Sequence, residues 1–366
     1  MEKELPGLTL NDHFYSVPEL IRFCWEEIRR KTSPVWKQEI YSFILEFINE
    51  DEFILQKTSG TTGKPKTIRL LKKSMLASAE NTIAFFGLKR SQVAVLCLPI
   101  RYIAGKMMVV RAMLARMNLI LTEPKATPDF SEIDKIDFCA MVPMQAAGIL
   151  KRNLWPRIKI LILGGAETNP GLIRQLRAVS TQVYETYGMA ETCSHVALRR
   201  LNGGHAETLF FAMPGVSFST DSRGCLIIKA SYLPEKTITN DCVELAAGNR
   251  FRWLGRFDNV INSGGIKIQP ETLEKQIQEI LRIPCAVISQ PDELLGQKTI
   301  LILETEKENC TPDQILASLA PHIDKKILPK SFRYIKRLPR NKSFKIDRVQ
   351  LKKWNTDITD SKDLNH

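Results

Sequence analysis

Four short apolar runs, Val93–Leu98, Leu119–Thr122, Phe138–Val142 and Ile158–Leu163, constrain most strongly what this chain can fold into. Each is bounded by turn or polar residues and reads as a strand buried on both faces. Gly105–Met117, Met144–Lys151 and Asn169–Ala178 alternate with them and read as helices. Strand–helix alternation predicts an α/β fold with a mostly parallel sheet and helices on both faces, because parallel neighbours need a crossover between them. In such sheets, bound molecules collect beyond the carboxyl ends of the strands.

The flanks are read the same way. Trp36, Ile40, Phe43, Ile44 and Phe47 fall at helical spacing, so the opening fifty residues read as helical. A further helix is expected over Lys72–Phe86, with Leu76, Ala79, Ile83 and Phe86 on one side. From Phe218 to Leu245 short runs such as Cys225–Ile228 alternate with turn residues, which suggests a short antiparallel β subdomain. A boundary is placed near Leu254–Asp258, dividing the chain into a large domain over 1–254 and a small α+β domain over 255–366. The small one is expected to hold helices over Pro270–Leu281 and Pro312–Lys326 and strands over Cys285–Ser289 and Thr299–Glu304.

Composition excludes several classes. At 366 residues, with 44% hydrophobic and 25% charged content, the chain suits a soluble globular protein with one large core and a satellite. No apolar run approaches a membrane span, and Met1–Pro6 lacks a basic-then-apolar leader, so a cytoplasmic protein is expected. The eight cysteines include no C-x-x-C pair and several sit inside apolar runs, which suggests neither a disulfide framework nor a zinc site. Net charge is +12, concentrated between Lys325 and Lys353. That stretch lacks the stacking aromatics and fold motifs of nucleic-acid readers, so no nucleic-acid partner is expected. Small polyanions drawn in by the field account for the same charge.

Thr58-Ser59-Gly60-Thr61-Thr62-Gly63-Lys64-Pro65-Lys66 supports that reading. Its glycines allow close approach of the backbone, and successive N–H groups with hydroxyls and cations suit a triphosphate. Gly60 and Gly63 are too close together for the G-x-x-x-x-G-K-[ST] loop, which argues against a P-loop NTPase. Taken alone, the segment is also a plausible solvated turn. Gly164-Gly165-Ala166-Glu167, directly after Ile158–Leu163, stands where a nucleotide base can lie flat on bare backbone.

Three further segments follow in order: Tyr187-Gly188-Met189-Ala190-Glu191-Thr192, the long run Leu254–Ile268 containing Gly255-Arg256-Phe257-Asp258 and Ser263-Gly264-Gly265, and Leu338-Pro339-Arg340 leading to Lys345. With the Thr58–Lys66 loop, these resemble the signature motifs of the acyl-adenylate-forming enzymes, which include acyl-CoA synthetases, peptide-synthetase adenylation domains and luciferases. The resemblance spans essentially the whole chain. It implies ATP, Mg2+ and coenzyme A as ligands, and a small-molecule carboxylate as substrate. Thr58, Ser59, Gly60, Thr61, Thr62, Gly63 and Lys66 would then orient pyrophosphate. Gly164, Gly165, Ala166, Tyr187 and Gly188 would frame adenine, while Asp241 and Arg256 would hold ribose hydroxyls. It also implies that Glu191 binds Mg2+, that Thr192 touches the α-phosphate and that Lys345 inserts into the adenylation site. Asp258 would be the hinge of a mobile C-terminal domain, and Gly264 and Gly265 would border the pantetheine arm.

The chain departs from the family pattern at Ala190, at Asn240 beside Asp241, and at Asn341 and Phe344 near the lysine. Cys97–Met108 together with Tyr187–His195 is most similar to compact o-succinylbenzoate–CoA ligases of menaquinone biosynthesis. Position relative to the motifs makes Tyr102, Ala104, Gly105, Ser194 and His195 candidates for the acyl pocket. Arg101, Arg199 or His195 would receive a second carboxylate. The function expected is an acid–thiol ligase working through an acyl-adenylate. A ligase for another aryl or fatty acid, or a non-catalytic adenylate-binding regulator, is the alternative. The residues leave oligomeric state open.

Overall fold

In the computed structural model, which describes residues 5–58, 66–153, 155–306, 310–340 and 346–363, the four apolar runs become neighbours in one sheet. Strand Val93–Leu96 lies between Asn118–Leu121 and Ile136–Met141, followed outward by Ile158–Leu163 and Gln182–Gly188, all parallel. The period of two in a strand sends alternate residues to opposite faces. Leu96, Phe138, Ile160 and Ile162 join one core with helices Lys72–Phe86 and Ile103–Ala115. Val95, Cys139, Leu161 and Leu163 join a second core with Pro143–Lys151 and Pro170–Leu176.

The sheet does not stop where the helices do. After Gln182–Gly188 the chain reverses through the short turn Met189–Ser194, with no helix to cross over, so His195–Arg200 must pair antiparallel. Phe210–Ala212, Arg250–Arg256, Thr237–Ala246, Cys225–Ala230 and Val216–Thr220 continue the antiparallel half, giving a mixed sheet of 13 strands. The expected parallel sheet and antiparallel subdomain are thus halves of one continuous layer. At the opposite edge, Leu8–Leu10 and His13–Tyr15 precede helices Val17–Arg29 and Val35–Ile48, so the opening is not helical throughout.

Strands Ile261–Ser263, Ile266–Ile268, Cys285–Asp292, Gly296–Glu304 and Ser331–Ile335 form a separate five-stranded sheet. Helices Pro270–Leu281, Pro312–Leu319 and Arg348–Asp363 accompany it. The second helix ends before the expected Lys326, where Pro321 offers no N–H to continue the ladder. No helix among the described residues is long and apolar enough to cross a membrane.

A buried charge cluster ties this unit to the strand that leads into it. The Arg348 guanidinium bonds Glu274 at 2.8 Å and the Val287 carbonyl at 2.7 Å, and lies 3.4 Å from Glu271. Glu271 accepts from Asn259, and Thr272 donates to the Leu254 carbonyl at 2.6 Å. Burial, with the Glu271 charge adding to it, raises the Glu274 carboxyl above its ordinary value, while Arg348 and the Val287 N–H oppose the rise. Removing one partner of such a pair strands a buried charge, which costs about 3–5 kcal/mol. Arg348→Met is therefore expected to lower the melting temperature of the full chain sharply, and Arg348→Met with Glu274→Leu to recover most of the loss. Equal melting temperatures for the single variant and the parent would contradict this.

Candidate active site

The Gln182–Gly188 strand delivers the Tyr187 motif to the carboxyl edge of the parallel half. Gly188 faces His195 across the ladder, and a Cβ there would come within 2.2 Å of the Ser194 carbonyl, so no larger residue fits. In the turn that follows, Glu191 is exposed and makes no ion pair or hydrogen bond among the described residues. Thr192 differs from expectation. It is fully buried, and its hydroxyl accepts from the Met189 N–H at 3.0 Å while its proton faces the Ser194 and Met189 carbonyls. Its side chain holds the turn shut.

Beside this turn, the Tyr187 hydroxyl donates to Asp241 at 2.7 Å. Arg256 lies 3.8 Å from Asp241 and bonds Asp258 at 2.8 Å, while Asn240 reaches Asp258 at 3.3 Å. The residues expected at adenine, at ribose and at the hinge therefore form one connected chain. Gly164, Gly165 and Ala166 follow Ile158–Leu163 at the same edge, where Glu167 lies 3.8 Å from Lys275 of the C-terminal unit.

A feature not foreseen in the sequence flanks residues 59–65. Strands Phe53–Lys57 and Thr67–Leu71 pair antiparallel, and Thr58 N–H closes the ladder on the Lys66 carbonyl at 2.8 Å. Ser59, Gly60, Thr61, Thr62 and Gly63 lie outside the described residues, as does Lys345. Gln56 anchors this ladder by donating to the Arg101 carbonyl at 3.0 Å, next to Tyr102, Ala104 and Gly105 at the start of helix Ile103–Ala115. Gly264 and Gly265 both have positive φ (57° and 83°) and form the two-residue turn between Ile261–Ser263 and Ile266–Ile268.

One residue that sequence reasoning passed over stands beside Ser194 and His195. Arg111 sits on Ile103–Ala115 with 2% of its surface exposed and no carboxylate bonded to it among the described residues. Its Nη2 donates to the Ser194 hydroxyl at 2.5 Å and faces His195 Nδ1 at 3.5 Å, while its Nε has no partner. A guanidinium only donates, so Nδ1 must be the bare nitrogen. His195 then carries its proton on Nε2 and donates it to Thr82 at 3.1 Å, and Thr82 passes its own to the Ser78 carbonyl. Burial, with Arg111 repulsion second, holds the His195 pKa well below the ordinary imidazole value, so the ring is neutral.

Of the groups expected to receive a second carboxylate, Arg199 is already neutralised by buried Glu185, its Nε and Nη2 both meeting Oε2. Arg101 is exposed and lies against the Tyr102 ring. Neutral His195 supplies no charge. Arg111, unlike Arg199, has no carboxylate on it among the described residues; an arginine amid Met107–Met113 on a helix buried all round was the available signal.

Residues 33–217 match the family of AMP-binding enzymes. The 2-succinylbenzoate–CoA ligase of Staphylococcus epidermidis is 27% identical, over 85% of this chain and 71% of that protein. The counterpart in Bacillus cytotoxicus is 23% identical, over 94% and 77%. Among solved structures, an acyl-CoA synthetase (AMP-forming)/AMP-acid ligase II-like protein from Dyadobacter fermentans is 33% identical, covering 91% of this chain and 97% of that one, with a TM-score of 0.59. The o-succinylbenzoate CoA synthetase of Bacillus subtilis, solved with its acyl-adenylate intermediate, shares the fold at TM-score 0.74 and 18% identity, over 94% and 95% of the two chains.

The two buried arginines should answer substitution in opposite ways. Arg199→Met strands Glu185 and should cost about 3–5 kcal/mol of stability. Arg111→Met strands no acid and relieves an unpaired charge, so stability should hold or rise. Thermal melts of both variants check this; a loss at Arg111 as large as that at Arg199 would contradict it.

Proposed function

The chain belongs to the AMP-binding, acyl-adenylate-forming enzymes, and we propose that within them it is a carboxylate–CoA ligase for an acid bearing a second carboxylate, o-succinylbenzoate foremost. The observation that carries this reading is Arg111. A guanidinium taken out of water without a counter-ion is costly, and a substrate carboxylate is the partner that would offset the cost. Ser194 and neutral His195 beside it supply polar contacts without competing charge. The likeness to 2-succinylbenzoate–CoA ligases points the same way.

On this reading, the reacting carboxylate attacks the α-phosphorus of ATP, forming the acyl–phosphate bond as the bond to pyrophosphate breaks. Anion meets anion, so preplaced positive charge lowers the barrier most. Lys345 supplies it by its register after Leu338-Pro339-Arg340, and the loop from Thr58 to Lys66 orients the leaving pyrophosphate. Glu191, free of other partners among the described residues, fits a carboxylate that holds Mg2+, and the ion would neutralise phosphate charge. Asp241 and Arg256 hold the ribose. Arg111 fixes the far carboxylate and so sets the position of the near one. In the second half, the coenzyme A thiol adds to the acyl carbon and AMP leaves. The C-terminal unit turns about Asp258 between the two steps, withdrawing Lys345, and Ser263-Gly264-Gly265 offers backbone along which the pantetheine arm runs.

Incubation with ATP, Mg2+, coenzyme A and o-succinylbenzoate should yield a thioester identified by mass, together with AMP and pyrophosphate. ATP binding without pyrophosphate release from any carboxylate in a panel would instead favour a regulator. Lys345→Ala should slow adenylate formation by roughly a hundredfold or more. Arg111→Met should raise the KM for the diacid by roughly a hundredfold while leaving that for ATP unchanged. An unaltered KM for the diacid would remove Arg111 from the pocket.

A further inference from the structure

We infer that the hydroxyl of Tyr187 is a positioning group, which fixes the Asp241 carboxylate so that it receives the ribose hydroxyls of the nucleotide. The inference rests on the adenylate-forming reading above and adds to it a residue that sets selectivity for the sugar. Tyr187 and Asp241 are not brought together by strand pairing. His195–Arg200, Phe210–Ala212 and Arg250–Arg256 all lie between their strands in the sheet. The 2.7 Å bond reaches over those three strands, from the end of Gln182–Gly188 to the middle of Thr237–Ala246.

Both partners are held from other sides. The Tyr187 ring meets Phe251 edge-on at 5.1 Å and Phe210 at 6.0 Å, which fixes where the hydroxyl points. Asp241 is 7% exposed, and its own N–H is tied to the Thr239 hydroxyl at 3.0 Å. One carboxylate oxygen accepts from Tyr187. The other faces Arg256 at 3.8 Å, beyond hydrogen-bonding distance, and among the described residues keeps its lone pairs open. Burial and the adjacent Asp241 charge raise the phenol pKa well above its ordinary value, so Tyr187 remains a proton donor. Without that donor the carboxylate is free to turn onto Arg256, and both groups would be spent on each other.

Tyr187→Phe keeps the ring and removes only the hydroxyl. Calorimetric binding of ATP, 2′-deoxyATP and 3′-deoxyATP with Mg2+ and no acid reads the effect directly. The unmodified chain should bind at least one deoxy analogue roughly tenfold or more weakly than ATP. In Tyr187→Phe, ATP should weaken roughly tenfold and the deoxy penalty should shrink to about threefold or less. A penalty equal to that of the unmodified chain overturns the inference, whether ATP affinity falls or not, because a ring or folding role would leave discrimination intact. Asp241→Asn gives a second arm, which stands even if Tyr187→Phe fails to fold: it should reproduce the lost discrimination. Adding Tyr187→Phe to it should change ATP affinity by less than about threefold, and full additivity overturns the inference. If the unmodified chain binds no ATP, the adenylate reading falls and this inference with it. ATP binding with unchanged sugar discrimination in Tyr187→Phe sinks the inference alone.

Discussion

A buried cation, with no anion against it among the described residues, organises the structure around it. Arg111 is packed into a helix buried on all sides, its Nε unpartnered and its Nη2 spent on a serine hydroxyl. Interiors rarely tolerate this, because hydration lost by a charge is regained only through an opposite charge or a full set of hydrogen bonds. The same chain shows the ordinary solution twice, in Arg199 with Glu185 and in Arg348 with Glu274. Arg111 stands out against those pairs, and its neighbours are arranged around it. It dictates the tautomer of His195, which in turn sets the Thr82 hydroxyl and links helix Lys72–Phe86 to the turn after Gly188.

That turn joins the two ends of the proposed chemistry. Gly188 lets the strand approach Ser194 and His195 closely, and Thr192 closes the loop from within. Glu191 is thereby left facing outward while Ser194 faces Arg111. On the other side of the same strand end, Tyr187, Asp241, Arg256 and Asp258 run in sequence towards the C-terminal unit. A nucleotide held there would touch both the acid-binding end and the segment proposed as the hinge, so occupancy and domain orientation would share contacts.

Much of the fold was legible because burial on both faces leaves uninterrupted apolar runs. Lys72–Phe86, Ile158–Leu163 and Pro270–Leu281 have the bounds that the sequence implied. The ladder of Phe53–Lys57 with Thr67–Leu71 was not, since each strand is only five residues long and Leu55, Lys57, Thr67 and Arg69 are exposed. Helix Arg348–Asp363 escaped notice for a similar reason, being polar over most of its length with Leu351 buried. Near the candidate site, Gly188 stood out because close backbone approach restricts residue type. Arg111 was passed over although its place in an apolar helix was legible, because what faces an isolated cation is set by neighbours from other elements. The partner of Arg199 was equally invisible, as Glu185 comes from the neighbouring strand.

The central claim is that the unpaired guanidinium is held for a substrate carboxylate. The most direct test is the ratio of kcat/KM for o-succinylbenzoate to that for the analogue lacking its second carboxylate, measured on the unmodified chain. The account predicts a preference of roughly two orders of magnitude or more for the diacid, with the gap lying in KM. Equal efficiency with the two acids would contradict it.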